Sequence, residues 1–249
     1  MSGKTLKIDL RRRKLLELLA QGEGTTVAQL SAALEATPVT IRSDLAALER
    51  ENLLRRVRGG AVPVEPEIGL GACAEEKQAI ARAVAARVSE GDRLFINSGT
   101  TSLAVAGALR RYRSLAVVTN SLPVARLLGS RFPVVLLGGN VSASDDFTYG
   151  ADALSQLERY RADWAVLSVD SISAAEGVTI CHPEESAVSC RMLERAVRGV
   201  IAADHTKIGR TGFVRICDAG APLMLVTCAP ADDGEIAALR AAGVDVLQA

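Results

Sequence analysis

Residues 37–62 read TPVTIRSDLAALERENLLRRVRGGAV. Thr37 before Pro38 is a helix start, because the hydroxyl caps the first turn and proline is tolerated there. The helix that follows carries Val39, Ile41, Leu45 and Leu48 on one face, with Thr40, Arg42, Ser43 and Arg50 on the other. After Asn52, the run Leu53 to Val62 reads as a basic β-hairpin turning at Gly59-Gly60, with Arg55, Arg56 and Arg58 on it. Upstream, Leu15, Leu16, Leu18 and Leu19 among Arg11 to Lys14 and Glu17 predict an amphipathic helix ending at Gly22 or Gly24. Thr26 precedes a short helix with Val27, Leu30 and Leu34 at helical spacing. Helix, short helix, turn, helix and basic hairpin is the order of a winged helix-turn-helix.

A recognition helix needs an apolar inner face to fix its angle and short polar or Arg side chains at its N-terminal end to reach base edges. Thr37, Val39, Thr40, Arg42 and Ser43 supply that end, while Arg55, Arg56 and Arg58 in the wing suit backbone phosphates. The charge distribution agrees. Residues 1–62 hold 11 Lys and Arg against 7 Asp and Glu, and residues 63–249 hold 18 against 22, although the chain as a whole is neutral. A basic head on an acidic body fits a double-stranded DNA reader joined to a different domain.

The rest of the composition narrows the class. At 249 residues, 49% hydrophobic and 23% charged, the chain is long enough for a small and a medium domain and too apolar for wholesale disorder. With eight aromatics the core is Ala, Val, Leu and Ile. No apolar run reaches membrane-spanning length and the basic N-terminus has no signal core, so a cytoplasmic location without a membrane partner is expected. Cys73, Cys181, Cys190, Cys217 and Cys228 are odd in number and widely spaced, so neither a disulfide framework nor a zinc site is indicated, and no metal or cofactor is expected.

Pro63, Pro66, Gly69 and Gly71 mark a linker, giving a head over 1–62, a linker over 63–74 and a body over 75–249. In the body, strand-length apolar runs at 93–97, 115–119, 133–137, 164–169, 200–203, 223–227 and 244–247 alternate with helical patterns near 75–89, 101–111, 121–129, 150–159, 184–197 and 233–242. That alternation predicts an α/β domain with a mostly parallel sheet covered on both faces. Several strand ends are polar. Asn97-Ser98-Gly99-Thr100-Thr101 runs straight into a helix, where unpaired N–H groups and hydroxyls suit a phosphate, although such a turn also serves simply to cap a helix. Thr119-Asn120-Ser121, Gly138-Gly139-Asn140, Asp170, Glu184-Glu185 and Asp204-His205-Thr206-Lys207 complete a set that implies one crevice at the carboxyl ends of the strands. Lys207 reads either as a surface lysine or as a partner for a phosphate or sugar oxygen.

The segment Thr25 to Ala61, above all Thr40-Ile41-Arg42-Ser43-Asp44-Leu45 and Arg56-Val57-Arg58-Gly59-Gly60-Ala61, resembles the DNA-binding head of DeoR-type bacterial regulators. Glu76-Lys77, Ser98-Gly99-Thr100-Thr101, Thr119-Asn120, Gly138-Gly139, Gly150, Ala162-Asp163, Gly177, Glu185 and Asp204 to Lys207 extend the resemblance through the body, over about residues 10–215. It implies a body similar to ribose-5-phosphate isomerase and a homo-oligomer, dimer or tetramer, that represses a sugar or sugar-alcohol operon under control of a phosphorylated sugar. The effector residues it implies are Ser98, Gly99, Thr100, Thr101, Thr119, Asn120, Gly138, Gly139, Asp170, Glu185 and Lys207. The chain departs from the pattern at Ser43, usually Arg; at Asn97, usually Asp; at Ser171, usually Gly; and at Ser189 and Cys190, usually basic. Asp44 is expected to hold Arg42 or a wing arginine rather than touch DNA. The alternative is a phosphosugar isomerase with an appended head, using Glu185, Asp170 and Lys207; a single carboxylate in Asp170 to Ser173 favours binding without turnover and no catalytic residue.

Overall fold

Threonine caps set the helix starts after α1 (Gly3–Ala20) in the N-terminal unit. Thr26 Oγ1 accepts the Gln29 N–H at 3.2 Å and Gln29 Oε1 accepts the Thr26 N–H at 2.9 Å, a reciprocal capping box that opens α2 (Val27–Ala33). Thr37 Oγ1 accepts the Thr40 N–H at 3.2 Å at the head of α3 (Pro38–Arg50). The computed structural model describes residues 3–20, 25–50, 54–57, 59–63, 69–142, 145–220 and 223–249, and divides the chain into two units, Met1–Glu67 and Ile68–Ala249.

The head core is aliphatic: Leu15 and Leu19 of α1, Leu30 of α2, Ile41, Leu45 and Leu48 of α3, and Leu54 and Ala61 below the wing. Val39 is not part of it. It is 74% exposed, because the apolar stripe of α3 is set by positions 41, 45 and 48 and position 39 falls outside that arc. The wing has three antiparallel strands in the order β1-β3-β2, namely β1 (Thr25–Thr26), β2 (Leu54–Val57) and β3 (Gly60–Pro63). The two glycines of its turn serve different ends. Gly59 has φ +89°, and Gly60 lies so close to β1 that a Cβ there would strike the Thr25 carbonyl. Gly22, Gly24, Leu53 and Arg58 lie outside the described residues.

In the body, α4 (Ala74–Ala85) precedes β4 (Arg93–Ile96), α5 (Thr100–Leu109), β5 (Ala116–Thr119), α6 (Leu122–Leu128) and β6 (Val134–Leu136). A ribbon of β7 (Asn140–Ser142) and β8 (Phe147–Tyr149) follows, then α7 (Ala151–Leu157) and β9 (Ala162–Ser168). Next come β10 (Ser171–Ser173), β11 (Gly177–Ile180), α8 (Pro183–Glu194), β12 (Ala196–Ala202), a 3-10 turn at His205–Lys207, β13 (Val214–Cys217), β14 (Leu223–Thr227), α9 (Asp233–Ala241) and β15 (Asp245–Gln248). Seven strands form one parallel sheet in the order β15-β14-β12-β9-β4-β5-β6. Helices α4 to α6 pack on one face and α7 to α9 on the other, each over its own aliphatic layer. Trp164 lies in the first layer, with its indole N–H on Asp92 at 3.1 Å and Arg198 stacked 3.9 Å from the ring centroid. Two small antiparallel additions, β7-β8 and β10-β11-β13, have no counterpart in the sequence reading. No helix among the described residues is long and apolar enough to cross a membrane.

The strand order reverses at β4 and β9. From β4 the chain winds outward through β5 and β6; from β9 it winds the other way through β12, β14 and β15. Connections leaving the carboxyl ends of two neighbouring strands in opposite directions open a crevice between them, the usual ligand position in open α/β sheets.

Candidate functional site

A cavity of about 620 Å³ fills that crevice. Ser98, Gly99, Thr100 and Thr101 enter it from the β4–α5 turn, Ser168 to Asp170 from the end of β9, Ser121 from the end of β5, and Asp204 and Lys207 from beyond β12. Glu185 of α8 and Lys77 of α4 close the sides. Gly99 is the N-cap of α5, with φ +114° and no side chain to satisfy the first N–H groups, which are therefore directed at whatever occupies the cavity.

Asn97 fixes this turn from below. Fully buried, it donates through Nδ2 to the Ser168 carbonyl at 2.8 Å and to Ser189 Oγ at 3.2 Å. Its Oδ1 accepts from Ser102 Oγ and from the Ser168 N–H, each at 2.8 Å. One amide thus ties β4, α5, the end of β9 and α8 together. Glu185 accepts a hydrogen bond from the Ser98 hydroxyl. Burial pushes its carboxyl above the ordinary range; the Ser98 bond opposes that shift and Asp170 adds to it.

The cations at the cavity are placed differently. Lys77 is buried, with Nζ donating to the Leu70 carbonyl at 2.8 Å. Lys207 Nζ stands 3.8 Å from Asp170 Oδ1, both about one-third exposed, while Asp170 Oδ2 accepts the Cys181 N–H at 2.7 Å. That carboxylate pushes the Cys181 thiol up. His182 Nε2 lies 3.6 Å from Asp145.

Of the predicted effector residues, the structure brings Ser98, Gly99, Thr100, Thr101, Asp170, Glu185 and Lys207 to one wall. Thr119, Asn120, Gly138 and Gly139 are not among the residues that line the cavity. Thr119 and Asn120 are fully buried beneath the β7-β8 ribbon, where the Asn120 carbonyl accepts the Thr148 N–H at 2.8 Å. Gly138 donates to Gln156 Oε1 at 3.1 Å, anchoring the ribbon to α7, and Gly139 leads into β7. These polar strand ends hold a structural ribbon, and only Ser121 of that group reaches the cavity. Conversely, Lys77, Asp145, His182 and Asp204 do line it. Glu76-Lys77 and Asp204 were visible as motifs; Asp145 and His182 gave no signal, being brought in by loops.

In the head, Thr37, Val39, Arg42 and Ser43 are exposed and Thr40 is half-buried at the N-terminal end of α3, the arrangement a base-reading helix requires. Arg56 on the wing is held by Glu49, which accepts its backbone N–H at 2.8 Å and its Nε at 2.5 Å. The first of these bonds keeps the Glu49 carboxyl below the ordinary range. The Arg55 side chain and Arg58 lie outside the described residues. Asp44 corrects an expectation: it is buried and pairs with Arg11 at 2.6 Å and Arg12 at 3.2 Å, both on α1, so it fastens α3 to α1 instead of holding Arg42 or the wing.

Residues 11–67 match the DeoR-like helix-turn-helix domain and residues 72–228 the DeoR C-terminal sensor domain. The chain belongs to the DeoR family of transcriptional regulators. Among relatives of this DeoR-family chain is the HTH-type transcriptional repressor GlcR of Bacillus subtilis, 32% identical over 222 residues, covering 86% of this chain and 85% of GlcR. The glycerol-3-phosphate regulon repressor of Escherichia coli K12 is 30% identical, covering 85% and 87% respectively. Among solved structures, ribose 5-phosphate isomerase A from Neisseria gonorrhoeae overlaps 61% of this chain and 56% of its own, at 16% identity and TM-score 0.41.

Two departures of this DeoR-family chain from the pattern touch one another. The Asn97 amide donates to the Ser189 hydroxyl at 3.2 Å. The contact is a buried neutral pair. Ser43, another departure, is exposed on α3, and nothing in the structure explains it.

Proposed function

We propose that this DeoR-family regulator is a transcriptional repressor that binds operator DNA through α3 and the wing and is released by a phosphorylated sugar or sugar alcohol bound in the body cavity. The observation that carries the reading is the uncapped N-terminus of α5 opening on a cavity that also holds Lys77 and Lys207. Its N–H groups, with the Ser98, Thr100 and Thr101 hydroxyls, receive the phosphate. Asp170 and Glu185 accept sugar hydroxyls, and Lys207 bridges the two regions. One relative is named for the glycerol-3-phosphate regulon, in keeping with an effector of this class.

In the head, Thr37, Val39, Thr40, Arg42 and Ser43 read base edges, and Arg55, Arg56 and Arg58 engage phosphates. Two heads of a homo-oligomer meet repeated half-sites. The effector biases their spacing by its differential affinity for two body arrangements, a coupling of about 1–3 kcal/mol. The body binds the class of molecule that an isomerase would turn over, but acts as a switch.

The test is fluorescence anisotropy on DNA from upstream of the protein's own gene, titrated with a panel of sugar and polyol phosphates. One phosphorylated compound should lower DNA affinity while its unphosphorylated parent does not. Arg42→Ala should relax sequence preference by about 1–3 kcal/mol, and Arg56→Ala should weaken binding to all sequences and flatten the salt dependence by about one unit. DNA binding that every phosphate leaves unchanged, or that both variants retain, would overturn the proposal.

A further inference from the structure

Cys73, Asp204 and His205 come together at the edge of the cavity, with one donor atom from each within 4.8 Å of the others. They are drawn from the N-cap of α4 and from the turn after β12, more than 130 residues apart in sequence, so linear spacing gives no hint of them. His205 is also held by Glu76. Its Nδ1 lies 2.8 and 2.9 Å from the two carboxylate oxygens of Glu76, and its backbone N–H donates to the same carboxylate at 3.3 Å. Glu76 thereby fixes the orientation of the His205 ring, as a carboxylate does for a metal-ligating histidine.

We propose that Cys73, Asp204 and His205 form a three-ligand site for a transition-metal ion, with Glu76 as the positioning residue for His205. One sulfur, one nitrogen and one oxygen is a donor set that suits a borderline-soft ion, zinc before the harder magnesium or calcium. Three protein ligands leave a fourth position for water or for an oxygen of a bound molecule. Binding exchanges the Cys73 thiol proton for the ion: the S–H bond breaks, the proton leaves to solvent, and the thiolate coordinates together with the Asp204 carboxylate and a ring nitrogen of His205.

A second observation supports a cation here. The cavity wall, of which Asp204 is part, carries Asp145, Asp146, Asp170 and Asp204 besides the buried Glu185, against Lys77 and Lys207. A divalent ion at this edge offsets two of those negative charges and so favours a phosphate on the α5 side of the same cavity.

The experiment uses the full chain, stripped with a chelator, and Co2+ as a spectroscopic stand-in for Zn2+. The expected result is about one equivalent bound, with a thiolate-to-cobalt charge-transfer band that Zn2+ abolishes by displacement. Cys73→Ser should remove the band, and His205→Gln should weaken binding at least tenfold. Glu76→Gln should keep the band but weaken binding about 10- to 100-fold, as loss of an orienting carboxylate does. Circular dichroism and Trp164 fluorescence verify that each variant is folded. A stripped protein that binds no Co2+, a band that persists in Cys73→Ser, or affinity unchanged in His205→Gln would each overturn the site. The titration needs neither DNA nor effector, so its failure would leave the regulatory reading intact.

Discussion

Replacing Gly99 by alanine should damage the body in two separable ways. At φ +114° and ψ 156°, Gly99 occupies a region essentially closed to residues with a Cβ, and forcing alanine there costs about 1–3 kcal/mol. The new methyl would also stand 2.7 Å from Ser168 Oγ and 2.9 Å from Ser168 Cβ. Ser168 cannot retreat easily, since Asn97 takes its N–H and donates to its carbonyl, each at 2.8 Å. The overlap therefore adds about 1–3 kcal/mol, and the single variant should lose about 2–6 kcal/mol. Ser168→Gly in the same chain removes both atoms that the new methyl would meet but leaves the backbone strain. The double variant should recover the steric part, a coupling of about 1–3 kcal/mol. Urea denaturation followed by Trp164, which is the only tryptophan and sits in the body core, reads the body transition directly. DNA affinity without effector should stay near wild type, because Gly99 belongs to the other unit, whereas the response to sugar phosphate should be lost. A single variant within about 0.5 kcal/mol of wild type, or strict additivity with Ser168→Gly, would refute the argument.

Asn97→Asp should destabilise the body by about 2–5 kcal/mol, since a carboxylate cannot donate to the Ser168 carbonyl or Ser189 and would be buried as an unpaired charge; adding Ser189→Arg should restore part of the loss, measured as a recovered urea midpoint. Asp44→Ala should cost about 1–3 kcal/mol by freeing Arg11 and Arg12 from α3, and should weaken DNA binding without altering the effector response. The pH dependence of body stability should change in Glu185→Gln. With its folded-state pKa raised by burial, Glu185 binds its proton more tightly in the native state, so its contribution is most favourable at low pH and declines as pH rises from the ordinary carboxylate range through the raised value. The glutamine variant should show a flatter profile and a higher neutral-pH midpoint; a midpoint that falls instead would mean that Glu185 is ionised and satisfied.

The parallel sheet was legible because strands buried on both faces are written as continuous apolar runs. Leu223–Thr227 is observed at the bounds the sequence indicates, and Arg93–Ile96 within one residue. The β7-β8 ribbon was not, since Asn140–Ser142 and Phe147–Tyr149 are three residues each and show no period. Site legibility followed the same division. Ser98 to Thr101 announced itself as a local unit, a strand running into a helix through glycine. Thr119-Asn120 and Gly138-Gly139 carry the same polar strand-end signature, yet Asn120 bonds the backbone of the β7-β8 ribbon and Gly138 a side chain of α7. Nothing local distinguishes the two uses; only the position of β5 and β6 outside the point where strand order reverses does. Asp44 shows the complementary limit, because an acidic residue on a basic helix declares a need for a cation without saying whether it comes from α1 or the wing.

The aliphatic core of the head has a thermal consequence. Among the described residues eight buried side chains hold that unit, none aromatic, against two full layers in the body. A unit of 67 residues with so small a core has little reserve of stability, so the head is expected to open at a lower temperature than the sheet, which calorimetry would resolve as two transitions. Operator DNA, by binding only the folded head, then acts as its stabiliser. Occupancy of the operator and integrity of the reading helix become a single equilibrium, in which bound DNA raises the melting temperature of the head and leaves that of the sheet unchanged.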